Sequence, residues 1–98
     1  MITYFYMQGC PYCRYADRAI DELTQDNPLY KEVKIRRIDE NNPPADLTGY
    51  YDYYYVPTMF VGDEKIYEAH PGQTYEEVRE AVRNVFDMAV QQTKKENN

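Results

Sequence analysis

Near the start of the chain, Ile2–Met7 (Ile-Thr-Tyr-Phe-Tyr-Met) places aromatic, β-branched or apolar residues on both alternating faces. Such a run predicts a strand covered on both sides rather than one with a solvent face. Pro11 then stands where a helix places its first residue. Cys13, Ala16, Ile20 and Leu23 recur at helical spacing, with Arg14, Asp17, Arg18, Asp21 and Glu22 around the rest of the helix. Asn27-Pro28 ends it. From Glu32 to Ile38, Val33 and Ile35 alternate with Lys34 and Arg36, the pattern of a strand near a sheet edge. Asn41-Asn42-Pro43-Pro44 predicts a turn into a second helix capped by Asn42, although Gly49 and the tyrosines after it lower helix propensity. Val56–Val61 and Lys65–Glu68 read as two short strands joined through Gly62-Asp63-Glu64. Thr74-x-x-Glu77 is a capping box, and Val78, Val82, Val85 and Ala89 mark the apolar stripe of a last helix. Gln91–Asn98 is polar and is expected to fray.

The predicted order is β-α-β-α-β-β-α, an α/β fold with a four-stranded mixed sheet flanked by three helices. Its first two strands should be parallel through a right-handed crossover, and its last two antiparallel. Ninety-eight residues suit one domain, read as residues 1–90 with 91–98 as a polar tail. A domain so small has little room for a deep cofactor cavity, so no bound cofactor is expected. No apolar run approaches the roughly 18 residues of a membrane span. Ile2–Met7 is too short for a signal peptide and follows no basic stretch, so the cytoplasm is the expected location. The net charge of −6 argues against nucleic acid and anionic membranes, which require a basic footprint. A monomer is expected.

Chemistry enters with the cysteines. There are two, both in Cys10-Pro11-Tyr12-Cys13, which excludes a multi-bridge disulfide framework. They also cannot complete a structural zinc site, since the only other soft ligand is His70. The motif lies where the first strand gives way to the first helix. Thiol exchange requires a thiolate, and the unpaired amides and positive dipole end of a helix start favour an anion at Cys10. Cys10 is thus the expected exposed nucleophile. Cys13, one turn deeper, is the expected resolving thiol that releases substrate by forming the intramolecular disulfide.

Cys-Pro-Tyr-Cys, preceded by Gly9 and followed by Arg14, resembles the active site of dithiol glutaredoxins, and the element order resembles the minimal thioredoxin fold they share. Downstream, Ile38-Asp39-Glu40-Asn41-Asn42-Pro43 and Tyr51-Asp52-Tyr53-Tyr54-Tyr55-Val56-Pro57-Thr58 are similar to thioredoxin segments, as is the position of Pro71-Gly72. The resemblance implies that Pro57 is a cis proline beside the cysteines and that Val56 pairs with extended substrate backbone. It implies that Gly72 borders the substrate groove, while the helix start exposes Tyr12 beside Cys10, where with Pro11 it is expected to shape that groove. Two departures stand out. The buried Asp of thioredoxins corresponds to Tyr4, and their partnering Lys to Ile35. Glutaredoxins hold glutathione with a basic residue where this chain has Met7, and no Lys or Arg lies between Arg37 and Lys65.

The motif and the resemblance together imply a thiol–disulfide oxidoreductase of the glutaredoxin/thioredoxin type, expected to reduce disulfide-containing proteins or small mixed disulfides through Cys10 and Cys13. Its electron donor is expected to be glutathione or a flavoenzyme of the thioredoxin-reductase type, with the missing cations favouring the flavoenzyme. Two other readings compete: a non-catalytic thioredoxin-fold binding module, and an iron–sulfur carrier in which two chains share a cluster through Cys10. Twelve tyrosines mark the composition, and those at 50, 51, 53, 54 and 55 are read mainly as packing for the second helix, with one or two left for substrate. His70 is read as a surface residue.

Overall fold

Strand β1 (Ile2–Tyr6) occupies the middle of the sheet, which is where a strand apolar on both faces belongs. The computed structural model describes residues 1–47 and 51–96 (for 95 and 96 the backbone alone). On one side β1 pairs in parallel with β2 (Ile35–Asp39), Tyr4 opposite Arg37. On the other it pairs antiparallel with β3 (Thr58–Val61), which pairs antiparallel with β4 (Glu64–Glu68). The order β2-β1-β3-β4 makes a four-stranded mixed sheet, and β2 is an edge strand as its alternation predicts.

Helix α1 (Pro11–Asp26) and helix α3 (Tyr75–Glu96) cover one face. Ile2, Tyr4, Met59, Val61 and Tyr67 from the strands meet Ala16, Ala19, Ile20 and Leu23 of α1 and Val78, Val82, Val85, Phe86 and Ala89 of α3. The capping box forms at α3: Thr74 Oγ1 accepts from the Glu77 N–H and Glu77 Oε1 from the Thr74 N–H, both at 3.1 Å. α3 also runs six residues into the stretch expected to fray, to Glu96. Asn97 and Asn98 lie outside the described residues.

The α/β class, the mixed sheet and the three helices stand as the sequence predicts, but the third helix sits elsewhere. It is the four-residue α2 (Pro28–Lys31), directly after α1 and capped by Asn27, whose side chain accepts from the Leu29 N–H at 3.0 Å. No helix follows Asn42 among the described residues between β2 and β3. Asp39 makes the turn instead, its carboxylate accepting from the Asn41 N–H and its carbonyl from the Asn42 N–H, each at 3.0 Å. Pro44 then disfavours helical backbone at Pro43. Tyr51 and Tyr53 pack on Phe5 at centroid distances of 5.0 and 4.8 Å, so the tyrosines bury their rings without a helix to carry them. Gly49 and Tyr50 lie outside the described residues.

Candidate active site

Three segments converge at the carboxyl end of β1. The chain leaves β1 through Gly9, whose φ of +81° suits a residue without a Cβ, and the Cys10 N–H returns to the Met7 carbonyl at 3.3 Å. That turn delivers Cys10 as the N-cap of α1 with Pro11 following, so the strand-to-helix junction places the motif where an anion is favoured. In place of the usual hydroxyl or carboxylate cap, the Cys10 sulfur accepts from the Cys13 N–H at 3.3 Å. The Cys10 thiol in turn donates to the Val56 carbonyl at 3.6 Å, a contact spanning 46 residues.

Val56 belongs to the second segment. The Val56–Pro57 bond is cis, as the resemblance implied. Pro57 is buried, and its carbonyl accepts from the Ala69 N–H at 3.0 Å, which ties this turn to the third segment. There Gly72, with φ +89°, donates its N–H to the Tyr12 hydroxyl at 2.7 Å. Gln73 fixes the rest of that loop by accepting from the Tyr67 hydroxyl at 3.0 Å and from the His70 N–H at 3.3 Å. Cys10, Cys13, Pro11, Tyr12, Val56, Pro57 and Gly72 are thus gathered around one point. His70 stays on the surface, its ring against the Pro71 carbonyl.

Both thiols are buried. Cys13 is 4% exposed and its thiol is pushed up to about 12, chiefly by burial, then by its hydrogen bond with Cys10 and the charges of Cys10 and Asp17. Cys10 was expected to be exposed, yet it is only 8% so. The Val56 carbonyl approaches its sulfur, a long-range cover that local sequence does not announce. Both cysteines are free thiols in this state.

Two phenols flank the pair. The Tyr67 hydroxyl is raised by burial and by the nearby thiols, and Tyr4 is raised by burial and by Asp17. The Tyr4 hydroxyl lies 3.2 Å from the Cys13 carbonyl and 3.1 Å from Asp17 Oδ1, and Arg37 Nη1 reaches the same carboxylate at 2.9 Å. From the sequence Tyr4 is a residue of a buried strand and a departure from thioredoxins, and Asp17 is one of the polar residues around α1; neither is marked as part of the site. Their spacing was the available signal: Asp17 is four residues from Cys13, hence on the same helix face.

The tyrosine segment divides. Tyr51 and Tyr53 pack against the sheet, whereas Tyr54 is 84% and Tyr55 53% exposed. Glu68 fixes the backbone of the exposed pair, accepting from the Tyr54 N–H at 2.6 Å and the Tyr55 N–H at 2.9 Å while pairing with Lys65 Nζ at 2.7 Å. Among the described residues, no group of three or more His, Cys, Asp or Glu side chains is placed to hold a metal ion.

Comparison with protein-family models and with curated proteins gives no match. Among solved structures, the chain is similar to the reduced form of the periplasmic thioredoxin SoxS from Paracoccus pantotrophus. The likeness has a TM-score of 0.50 at 20% identity, covering 84% of this chain and 94% of that one. It shows a thioredoxin-like fold. It also overturns the expectation of a cytoplasmic location, since the similar protein is periplasmic. That expectation came from the first residues of the chain.

Proposed function

We propose that this protein is a thiol–disulfide oxidoreductase of the glutaredoxin/thioredoxin type, cycling Cys10 and Cys13 between dithiol and disulfide. The observation that carries this reading is the cap of α1, where the Cys10 sulfur accepts a backbone N–H and stands beside the Val56 carbonyl. A helix start is where a thiolate is best stabilised, and packing alone gives no reason for a cysteine to cap a helix. In the forward reaction the Cys10 thiolate attacks one sulfur of a substrate disulfide and the other sulfur leaves as a thiolate. Cys13 then gives its proton to solvent or to the thiolate already released and attacks Cys10 Sγ, expelling the second substrate thiolate and leaving the Cys10–Cys13 disulfide. Two electrons from a donor and two protons restore the dithiol.

Extended peptide would lie along Val56 between Pro11, Tyr12 and Gly72, pairing with the backbone of residue 56. Tyr12 forms one wall, held by its bond to Gly72 and by the Tyr15 ring at a centroid distance of 6.1 Å. Protein disulfides or small mixed disulfides are the substrates this groove suits. Glutathione carries two carboxylates, and the site lacks a cation where Met7 stands, so a flavoenzyme of the thioredoxin-reductase type is the preferred donor. Each missing charge-assisted bond costs about 1.5–3 kcal/mol. The test is insulin reduction with NADPH and either donor system. Reduction by the wild type at a rate well above the uncatalysed one, faster with the flavoenzyme, is the expected result. A chain that reduced no disulfide with either donor or with dithiothreitol would overturn the assignment and favour a binding module.

A further inference from the structure

Behind the cysteine pair, away from the groove, lies a polar cluster that thiol exchange leaves without a role. Tyr4 is 0% exposed, yet its hydroxyl bridges the Cys13 carbonyl and the carboxylate of Asp17, whose side chain is half exposed. Arg37 reaches that carboxylate from β2 at 2.9 Å and also lies over the Tyr4 ring, 5.5 Å from its centroid. The register places Arg37 directly opposite Tyr4 across the parallel pair. One buried phenol thus fixes a surface ion pair against the backbone of the second cysteine.

We propose that Tyr4, Asp17 and Arg37 form a charge lever that sets the rate of the resolving step, with Tyr4 the positioning residue that holds the Asp17 carboxylate at Cys13. The proposal rests on the reading of Cys10 as nucleophile and Cys13 as resolving thiol. Before reaction, burial, Cys10 and Asp17 together keep the proton on Cys13. Once Cys10 is tied up in a mixed disulfide, its negative charge is gone. The groups then facing Cys13 are the neutral Tyr4 of β1, the neutral Tyr67 of β4, and Asp17 of α1 countered by Arg37 of β2. Asp17 is then the one anion left among them, and Arg37 acts through its pairing with that carboxylate. Below the pH at which Cys13 ionises, the resolving rate is proportional to its thiolate fraction. A carboxylate one helical turn away lowers that fraction, and a neighbouring guanidinium restores part of it.

This predicts effects of opposite sign from the two halves of one ion pair, which loss of a structural salt bridge would not produce. The probe is 5,5′-dithiobis(2-nitrobenzoate). Cys10 thiolate attacks it, forming a mixed disulfide and releasing one thionitrobenzoate. Cys13 thiolate then attacks Cys10 Sγ and releases a second, so the second phase of a stopped-flow trace reports resolution alone. Asp17→Asn should speed that phase about three- to tenfold between pH 7 and 9 and move its pH profile to lower pH, whereas Arg37→Gln, which leaves the carboxylate uncountered, should slow it by a smaller factor. Tyr4→Phe keeps the ring and removes one of the two groups that hold the carboxylate, so Asp17→Asn in that background should change the rate less than it does in the wild type. Failure to release a second thionitrobenzoate would overturn the Cys13 assignment itself. Release of both, with Asp17→Asn and Arg37→Gln shifting the second phase equally or not at all, would overturn the lever and leave that assignment standing.

Discussion

On one face of the sheet, α1 and α3 press a continuous apolar core onto Ile2, Tyr4, Met59, Val61 and Tyr67. On the other face, Phe5, Ile38 and Phe60 meet side chains from the connection between β2 and β3, namely Leu47, Tyr51, Tyr53 and Val56. The helical face obtains its cover from regular periodicity. The second face obtains it from rings on an irregular chain, with Tyr51 edge-on to Phe60 at 4.9 Å and tilted on Phe5. The difference shows a division of labour. Helix α1 carries the two cysteines, and the irregular connection carries the Val56–Pro57 segment that faces them.

The comparison is broken most severely at the cysteines. Cys10→Ser should abolish disulfide reduction, to below about one-thousandth of wild type, while leaving the melting temperature nearly unchanged. Cys13→Ser should accumulate a mixed disulfide on Cys10 that intact-mass spectrometry detects. Substantial turnover by the Cys10 variant would place the chemistry elsewhere. Stability should divide unevenly between the faces. Phe86 is fully buried and stacked on Tyr30, so Phe86→Ala should cost about 3–5 kcal/mol in urea unfolding. Tyr51 is half-buried, and Tyr51→Ala should cost roughly 1–2 kcal/mol. Equal costs would mean that the two covers contribute alike.

A smaller effect concerns the exposed tyrosines. Burial opposes the charge on Glu68, but Lys65 and the N–H groups of Tyr54 and Tyr55 outweigh it and hold the carboxyl below its usual range. Its contribution is therefore complete at neutral pH and is lost only as pH falls through that depressed value. The amide resonances of Tyr54 and Tyr55 should titrate together below the ordinary glutamate value of about 4.3. In Glu68→Gln they should be flat, and their hydrogen exchange should rise about three- to tenfold. The slightest change is expected from Met7→Lys, which should raise turnover with glutathione several-fold relative to a protein disulfide. Efficient wild-type turnover with micromolar glutathione would remove the contrast between donors.

Periodicity made the helical face readable in advance: Cys13, Ala16, Ile20 and Leu23 are buried together in α1, and Thr74 and Glu77 cap α3. The motif was legible for the same reason, since a strand, a glycine and a proline fix where Cys10 must lie. The other face was not. Asn42 followed by two prolines looks like a helix start, but the turn is decided by Asp39 and by rings packing on Phe5, contacts set by the tertiary fold. Likewise Cys10 looked exposed because its cover, the Val56 carbonyl, lies 46 residues away. The Tyr12–Gly72 and Tyr4–Asp17 bonds escaped for the same reason, as each joins separate elements.

The central position of β1 bears on the order in which a growing chain acquires its structure. β1 is made first, yet one of its two partners, β3, begins at Thr58. At synthesis rates of about 5–20 residues per second, several seconds pass between the two, during which both cysteines have already been made. Val56, which approaches Cys10 in the finished molecule, has not yet been made. A nascent chain halted before Val56 should therefore have thiols that alkylate faster than those of the complete protein, with the sulfur cover arriving only with the second half of the sheet.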